Sequence, residues 1–364
     1  GFKAGGRVKN RALAVTLEHI AKKGKKGFYE GPVADALVER VLNTGGIITH
    51  EDLLSYHPVW RDPVNFRYKD LSIYTMAPPS SGGICLGQIM KMIEPYDISQ
   101  YKHNSIEAIQ VLVEAERRSY ADRSLYLGDS DFINIPQDSL LDLYYLSQRM
   151  SSFSFEKATK STDISPGTIV WDESEETTHY SIVDPMGNAV AVTTTLNGSY
   201  GSKVFVEKGG YFLNNEMDDF SSKPGVPNMF GLIGGKANAI APQKRMLSAM
   251  TPTIVERNGK LVMVVGTPGG STIITSVLQT LLNVFEFDMD IQTAVSSPRF
   301  HHQWLPDNIV FEPNFFSQTL VDSLIIKGYD IKEEYSKIIG RVDAILISKD
   351  NIISTGADPR GDDT

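Results

Sequence analysis

Glu175-Glu176-Thr177-Thr178-His179-Tyr180-Ser181 opens an alternating run that continues through Ile182-Val183-Asp184 and predicts a β-strand. Pro185-Met186-Gly187-Asn188 follows as a tight turn, and residues 189–197 return as a second strand rich in valine and threonine. Strand, Gly/Asn turn and strand together make a hairpin pattern. The Thr-Thr pair at its start admits two readings. β-Branched residues favour the pleat, so threonines at a strand start are ordinary. Thr177 would instead become a catalytic N-terminal residue if the chain were cut just before it.

Size and composition restrict what surrounds this stretch. The chain has 364 residues, 41% hydrophobic and 22% charged, as in ordinary globular proteins. That length allows two or three domains or one large layered fold. A net charge of −9, with no basic block interleaved with aromatics, argues against a nucleic-acid partner. The single cysteine, Cys85, permits neither an internal disulfide nor a cysteine metal site. No apolar run is long enough to span a bilayer. The first residues have no apolar signal core and no Met, so the expectation is a processed product or further sequence upstream.

Taken in order, apolar periodicity predicts helices over 7–24 and 32–43, the second stopped by Gly45-Gly46. A short helical turn follows at 52–56, and a strand pair at 64–76 turns at Tyr68-Lys69-Asp70. Pro78-Pro79-Ser80-Ser81-Gly82-Gly83 leads into a helix over 83–94. Its serines read either as helix caps or as a loop at a site wall. Asn104-Ser105-Ile106-Glu107 starts a long helix to about Arg123. Residues 129–176 alternate helical fragments with polar loops and end in an acidic stretch, 161–176. That stretch is a candidate linker, and a place where scission would be tolerated. Beyond the hairpin come a strand at 211–213 and a long Gly-, Pro- and Asn-rich segment, 221–243. A hairpin over 253–265, helices at 271–284, 290–297 and 316–327, a strand at 309–312 and a hairpin at 341–356 complete the chain. Helices first and then hairpins flanked by helices predict a layered α/β sandwich with mainly antiparallel sheets.

Several chemistries are hard to build from these residues. No Gly-x-Ser-x-Gly elbow exists, since Gly270-Ser271-Thr272-Ile273-Ile274 lacks the last glycine. The segment 231–237 resembles a phosphate loop but is one residue short, and Ala237 has no hydroxyl for Mg²⁺. His301 and His302 are adjacent, and on an extended segment they point to opposite faces, which disfavours a shared metal. The expectation is therefore no metal and no cofactor. A free N-terminal threonine needs neither, because its own α-amine, with a pKa of about 8, can take its hydroxyl proton. Acyl transfer also needs an oxyanion hole. Gly269-Gly270, between a strand and a helix, can turn two N–H groups toward one point, although the pair also suits a plain strand-to-helix turn. Asp218-Asp219 can hold an ammonium group or serve as ordinary surface acids.

Seven ordered motifs carry a resemblance. They are Pro78–Gly83, Thr177-Thr178-His179-Tyr180-Ser181, Leu213-Asn214-Asn215-Glu216-Met217-Asp218-Asp219-Phe220, Lys244-Arg245-Met246-Leu247-Ser248, Gly266-Thr267-Pro268-Gly269-Gly270-Ser271, residues 298–304 and Asp358-Pro359-Arg360. Together they resemble the γ-glutamyltransferases (γ-glutamyl transpeptidases), over nearly the whole chain. The resemblance implies an α+β fold of N-terminal nucleophile hydrolase type, a four-layer αββα sandwich with mainly antiparallel sheets.

It also implies autocatalytic cleavage of a precursor at Glu176–Thr177. Residues 1–176 would end a large subunit, 177–364 would form the small one, and the two would share one fold as a heterodimer. By the same resemblance Thr177 is nucleophile and base, and Thr195 hydrogen-bonds its hydroxyl. Asn197, Glu216 and Asp219 would bind the α-amino end of a glutathione-like γ-glutamyl donor, and Ser248 its α-carboxylate. Gly269 and Gly270 would hold the oxyanion, and 221–240 would be a lid. Acceptors would be amino acids, peptides or water, and the usual compartment periplasmic or extracellular.

Three departures stand out. The family has about 150 or more further residues upstream, with an arginine for the α-carboxylate. Ala249 stands where a second serine is common, and losing one neutral hydrogen bond costs roughly 0.5–1.5 kcal/mol. Phe230 stands where some members carry a lid tyrosine. An amide acylase cleaving glutaryl or poly-γ-glutamate substrates, and an uncleaved inactive homologue with a binding role, remain the alternative readings.

Overall fold

In chain order the helices and strands are α1 (Arg11–Lys23), α2 (Lys26–Tyr29), α3 (Pro32–Asn43), α4 (His50–Ser55), β1 (Val64–Tyr68), β2 (Leu71–Thr75), α5 (Gly82–Ile93), α6 (Ile106–Tyr126), α7 (Gln137–Leu140), α8 (Leu143–Met150), β3 (Thr177–Val183), β4 (Ala189–Thr195), β5 (Phe205–Val206) and β6 (Tyr211–Phe212). There follow β7 (Thr253–Arg257), β8 (Lys260–Gly266), α9 (Thr272–Phe285), α10 (Ile291–Ser296), β9 (Phe300–His301), β10 (Ile309–Phe311), α11 (Gln318–Ile326), β11 (Ile331–Lys332), β12 (Asp343–Ile347) and β13 (Ile353–Ala357). They belong to a computed structural model that describes residues 3, 5–165, 177–221, 235–332 and 339–361.

Two units divide the chain. The smaller takes residues up to Arg61 together with Leu196–Asn215, and the larger takes Asp62–Thr195 and Glu216 onward. Sequence on both sides of Glu176–Thr177 therefore contributes to each unit.

In the smaller unit, α3 starts on Pro32, which supplies the fixed φ a first helical turn needs. Its Ala34, Leu37, Val38 and Val41 recur at helical spacing and bury against Leu53, Phe28, Tyr29, Tyr211 and Leu213. Asn10 caps α1 through Leu13 N–H and donates to Gly210 O (2.6 Å), while Thr16 Oγ1 donates to Gly209 O (2.9 Å). These two bonds hold α1 against the β5–β6 turn.

The larger unit is built on a six-stranded antiparallel sheet in the order β1-β2-β7-β8-β12-β13. The pleat of β8 separates its two faces. Met263 and Val265 join the main core with Ile274, Val277, Leu278 and Leu281 of α9. Val264 and Gly266 point the other way, where the β3–β4 hairpin lies over β7, β8 and β12. A side chain at Gly266 would drive its Cβ to 2.2 Å from the His179 ring, so glycine lets the imidazole rest on the strand. Helices α5, α9 and α10 line the opposite face, with α6 packed behind α5. The helix layer, the sheet and the hairpin on it are the α+β arrangement the sequence predicts.

Boundaries shift by a few residues from the periodicity. The first helix spans 11–23 rather than 7–24, and the long helix runs to Tyr126 rather than Arg123. A small second sheet, β11-β10-β9, contains one parallel pair, β10 with β11, that the sequence does not reveal.

Candidate active site

The hairpin register sets Thr177 directly opposite Thr195. The turn that produces this register is the expected one: Asp184 accepts Met186 N–H and Asn188 N–H, both at 2.9 Å, and Gly187 takes a positive φ of 85°. Two residues along β3, His179 is buried between Thr193 Oγ1 (2.8 Å from Nδ1) and Ser181 Oγ (3.1 Å from Nε2). Burial pushes its pKa down to about 4, so the ring is neutral at pH 7. Asp343 accepts the Ser181 N–H (3.0 Å) and fixes β3 to the end of β12. His179 is thus a strut that seats the hairpin on Gly266, and the role of base falls to none of its nitrogens.

Three residues beyond Gly266 comes the double-glycine turn. Gly269 has φ 137° and Gly270 φ 56°, a pair of backbone states that side chains resist. Gly269 O accepts both the Thr272 N–H (3.0 Å) and the Thr272 hydroxyl (2.7 Å), which locks the turn to the start of α9. Neither glycine N–H has an acceptor among the described residues. Successive uncommitted N–H groups at a helix N-terminus can bind an anion where they converge. Beneath it, Tyr120 donates to Ser271 O (2.5 Å) and Ser271 Oγ to Gln303 Oε1 (2.7 Å). His301 spends Nε2 on Gln303 (2.8 Å) and Nδ1 on Thr275 (2.9 Å), whereas His302 turns to Asp307. The two histidines face apart, as the extended segment predicts.

Ser248 is braced by the Pro78–Gly83 loop. Ser248 N–H donates to Pro79 O (2.9 Å), and Ser81 donates both its N–H and its hydroxyl to Ser248 O (2.7 Å each). Of the two readings of this loop, helix caps are excluded at Ser81, which makes no side-chain cap bond to α5. Arg123 Nε donates to the same Ser81 hydroxyl (2.8 Å). Sequence reasoning had no access to this brace, because its partners lie 42 and 167 residues away. Ala249 is buried in the main core.

Glu216 and Asp219 begin and end a single 3-10 turn. Burial raises the Glu216 carboxyl to about 7, so its charge changes near neutrality. Asp219 O accepts from Asn238 Nδ2 (2.6 Å), and Asn238 Oδ1 accepts from Leu247 N–H (2.9 Å). One side chain that the sequence did not single out therefore links the Asp219 turn to the residue preceding Ser248. Asn197 belongs to the smaller unit, with φ 69° and a 3.4 Å bond to Asn215 O. Glu176, Phe230 and most of the expected lid, 222–234, lie outside the described residues.

The sequence profile of the gamma-glutamyltranspeptidase family matches residues 2–364. The glutathione hydrolase proenzyme of Escherichia coli (strain K12) is 44% identical over 351 residues, 96% of this chain and 60% of that protein. Its counterpart in Pseudomonas aeruginosa is 43% identical over 364 residues, 99% of this chain and 64% of that protein. The acylase ACY 1 proenzyme of Pseudomonas sp. (strain V22) is 31% identical over 352 residues, 96% of this chain and 60% of that protein. The chain thus spans less than two thirds of the length of these curated relatives. The crystal structure of cephalosporin acylase from Bacillus halodurans superposes with a TM-score of 0.83 at 22% identity, covering 100% of this chain and 63% of that one. Identity that low speaks for the fold alone, which is the N-terminal nucleophile hydrolase fold. A profile matched over almost every residue, on the fold its motifs predict, places this chain in the gamma-glutamyltranspeptidase family.

Proposed function

We propose that the full protein is a γ-glutamyltransferase and glutathione hydrolase that works through a γ-glutamyl ester on Thr177. The register of Thr177 with Thr195, on a hairpin that rests on Gly266 three residues before a glycine turn with two uncommitted N–H groups, carries this reading. Relatives named glutathione hydrolase proenzymes support a glutathione-like donor and maturation from a precursor. In maturation the Thr177 hydroxyl attacks the Glu176 carbonyl and the peptide bond becomes an ester. Water then cleaves that ester, leaving a Glu176 carboxylate and a free Thr177 amine. The chain divides there into the end of a large subunit, 1–176, and a small subunit, 177–364, within one fold.

In turnover the α-amine takes the hydroxyl proton as Oγ attacks the donor's γ-carbonyl. Gly269 and Gly270 N–H groups stabilise the oxyanion. The departing amine takes the proton, and water, an amino acid or a peptide then accepts the γ-glutamyl group. Thr195 orients the Thr177 hydroxyl. Glu216 and Asp219 receive the donor's α-ammonium, and Ser248 its α-carboxylate. Thr177→Ala is expected to abolish both cleavage and turnover, read by intact mass and by anilide hydrolysis. Cleavage at 176/177 in that variant would overturn the mechanism.

A second reading rests on Ala249 and on the acylase relative. An amide acylase would hydrolyse glutaryl-p-nitroanilide as well as γ-glutamyl-p-nitroanilide. A strong preference for the γ-glutamyl compound decides for the first reading.

A further inference from the structure

Asn238 is 5% exposed and uses both ends of its carboxamide on main-chain groups from two separate segments. Its orientation is fixed by chemistry. The NH₂ end must face the Asp219 carbonyl and the oxygen must face the Leu247 N–H, because the flipped amide would set like against like. The backbone around it is equally constrained. Ser221 N–H donates to Asn238 O (2.9 Å), and Lys244 Nζ bridges Ala237 O (2.7 Å) and Ala239 O (2.9 Å) on either side. Gly235 N–H ties the start of this turn to Ser124 O at the end of α6 (3.0 Å). With its flanks held, the short planar side chain acts as a spacer of set length between the 216–219 turn and the 244–248 segment.

We propose that Asn238 is a positioning residue for donor recognition. It holds the Asp219 turn and Ser248 at the separation that matches the α-ammonium and α-carboxylate of one amino-acid head group. This rests on the reading of Asp219 and Ser248 as donor-binding residues. Among the described residues its hydrogen bonds run to Asp219, Ser221, Gly235 and Leu247 and not to the Gly269-Gly270 turn, so its loss should act on selection of the donor and leave the acyl chemistry intact. Ground-state contacts that pair with substrate charges discriminate strongly when correctly spaced and weakly when not.

The test uses the full-length protein with γ-glutamyl-p-nitroanilide, which has the α-amine, and glutaryl-p-nitroanilide, which lacks it. In Asn238→Ala the ratio of kcat/KM for the first over the second is expected to fall about tenfold, through KM, with kcat nearly unchanged. Asn238→Asp keeps the acceptor for Leu247 N–H but sets a carboxylate oxygen against Asp219 O, so its ratio should fall at least as far as that of Asn238→Ala. Equal losses on both anilides, no loss on either, or failure of both variants to mature would each overturn the proposal. A parent protein that shows no preference for the γ-glutamyl anilide would instead refute the donor assignment made above, which separates the two failures.

Discussion

At Glu216, burial decides which charge the candidate site carries. The carboxyl is raised to about 7 because the surrounding protein disfavours its ionised form. Only that ionised form attracts an α-ammonium group. Below neutrality the free enzyme protonates Glu216 and loses the attraction, so kcat/KM for a γ-glutamyl donor should rise with pH through about 7. In the proposed mechanism the Thr177 amine must also lose a proton to act as base, and its ordinary value of about 8 gives a second rise in the same direction. Glu216→Gln separates the two. It is expected to remove the lower inflection from the pH profile, keep the upper one, and raise KM for γ-glutamyl-p-nitroanilide more than for the glutaryl compound. An unchanged lower inflection would take Glu216 out of the donor site. His179 contributes to neither step, since both its nitrogens are engaged and it stays neutral well below pH 6.

Helix α6 shows what an element conceals from its own sequence. Ile106, Ile109, Val113 and Ala121 mark an apolar stripe, and a stripe predicts that the intervening charges are solvated. Instead Glu114, Glu116, Arg117, Arg118 and Asp122 are all buried. Glu114 pairs with Arg118 and accepts the Thr159 N–H (3.0 Å) and the Tyr329 hydroxyl (3.2 Å). Asp122 meets Arg149 (2.9 Å), Gln88 (3.0 Å) and Tyr145 (2.8 Å). Every one of these partners except Arg118 is remote in sequence, so local periodicity cannot register them. Removing one partner strands a buried charge, which costs about 3–5 kcal/mol. Glu114→Ala should therefore lower the unfolding midpoint sharply in thermal or denaturant melts, whereas a loss near zero would mean that water reaches Arg118. The same distinction separates what was legible from what was not. The β3–β4 hairpin, the β7–β8 hairpin and α5 are written in alternation, turn residues and spacing within a few residues of one another. The two-residue strands β9 and β11, the Ser81–Ser248 brace and the Asn238 spacer depend on partners that only the folded chain supplies. Motif resemblance proposes roles for Thr177, Thr195, Asn197, Glu216, Asp219, Ser248 and the glycine pair, but it does not report what holds them.

For the molecule as a whole, the position of Thr177 within the larger unit governs what cleavage would do. Strands β1 and β2 precede the proposed scissile bond, and β7, β8, β12 and β13 follow it, yet all six share one sheet. The seam between the two parts is the β2–β7 ladder, paired from Leu71 with Arg257 to Thr75 with Thr253. It is closed further by one apolar core in which Ile73, Ile84, Leu86 and Ile89 from the first part meet Val255, Met263, Val265 and Ile274 from the second. Separating the parts would expose this core and open a central ladder, each residue of which carries obligatory backbone hydrogen bonds. Burial of apolar surface, at roughly 25 cal/mol per Å², together with the ladder opposes dissociation along this seam. Cleavage at Glu176–Thr177 is therefore expected to leave the two fragments in one particle. Size exclusion under native conditions should return a single species containing both, and denaturing electrophoresis should resolve them. Fragments that part under native conditions would contradict the shared sheet. Refolding from denaturant should then require both pieces together, because neither holds the six strands alone.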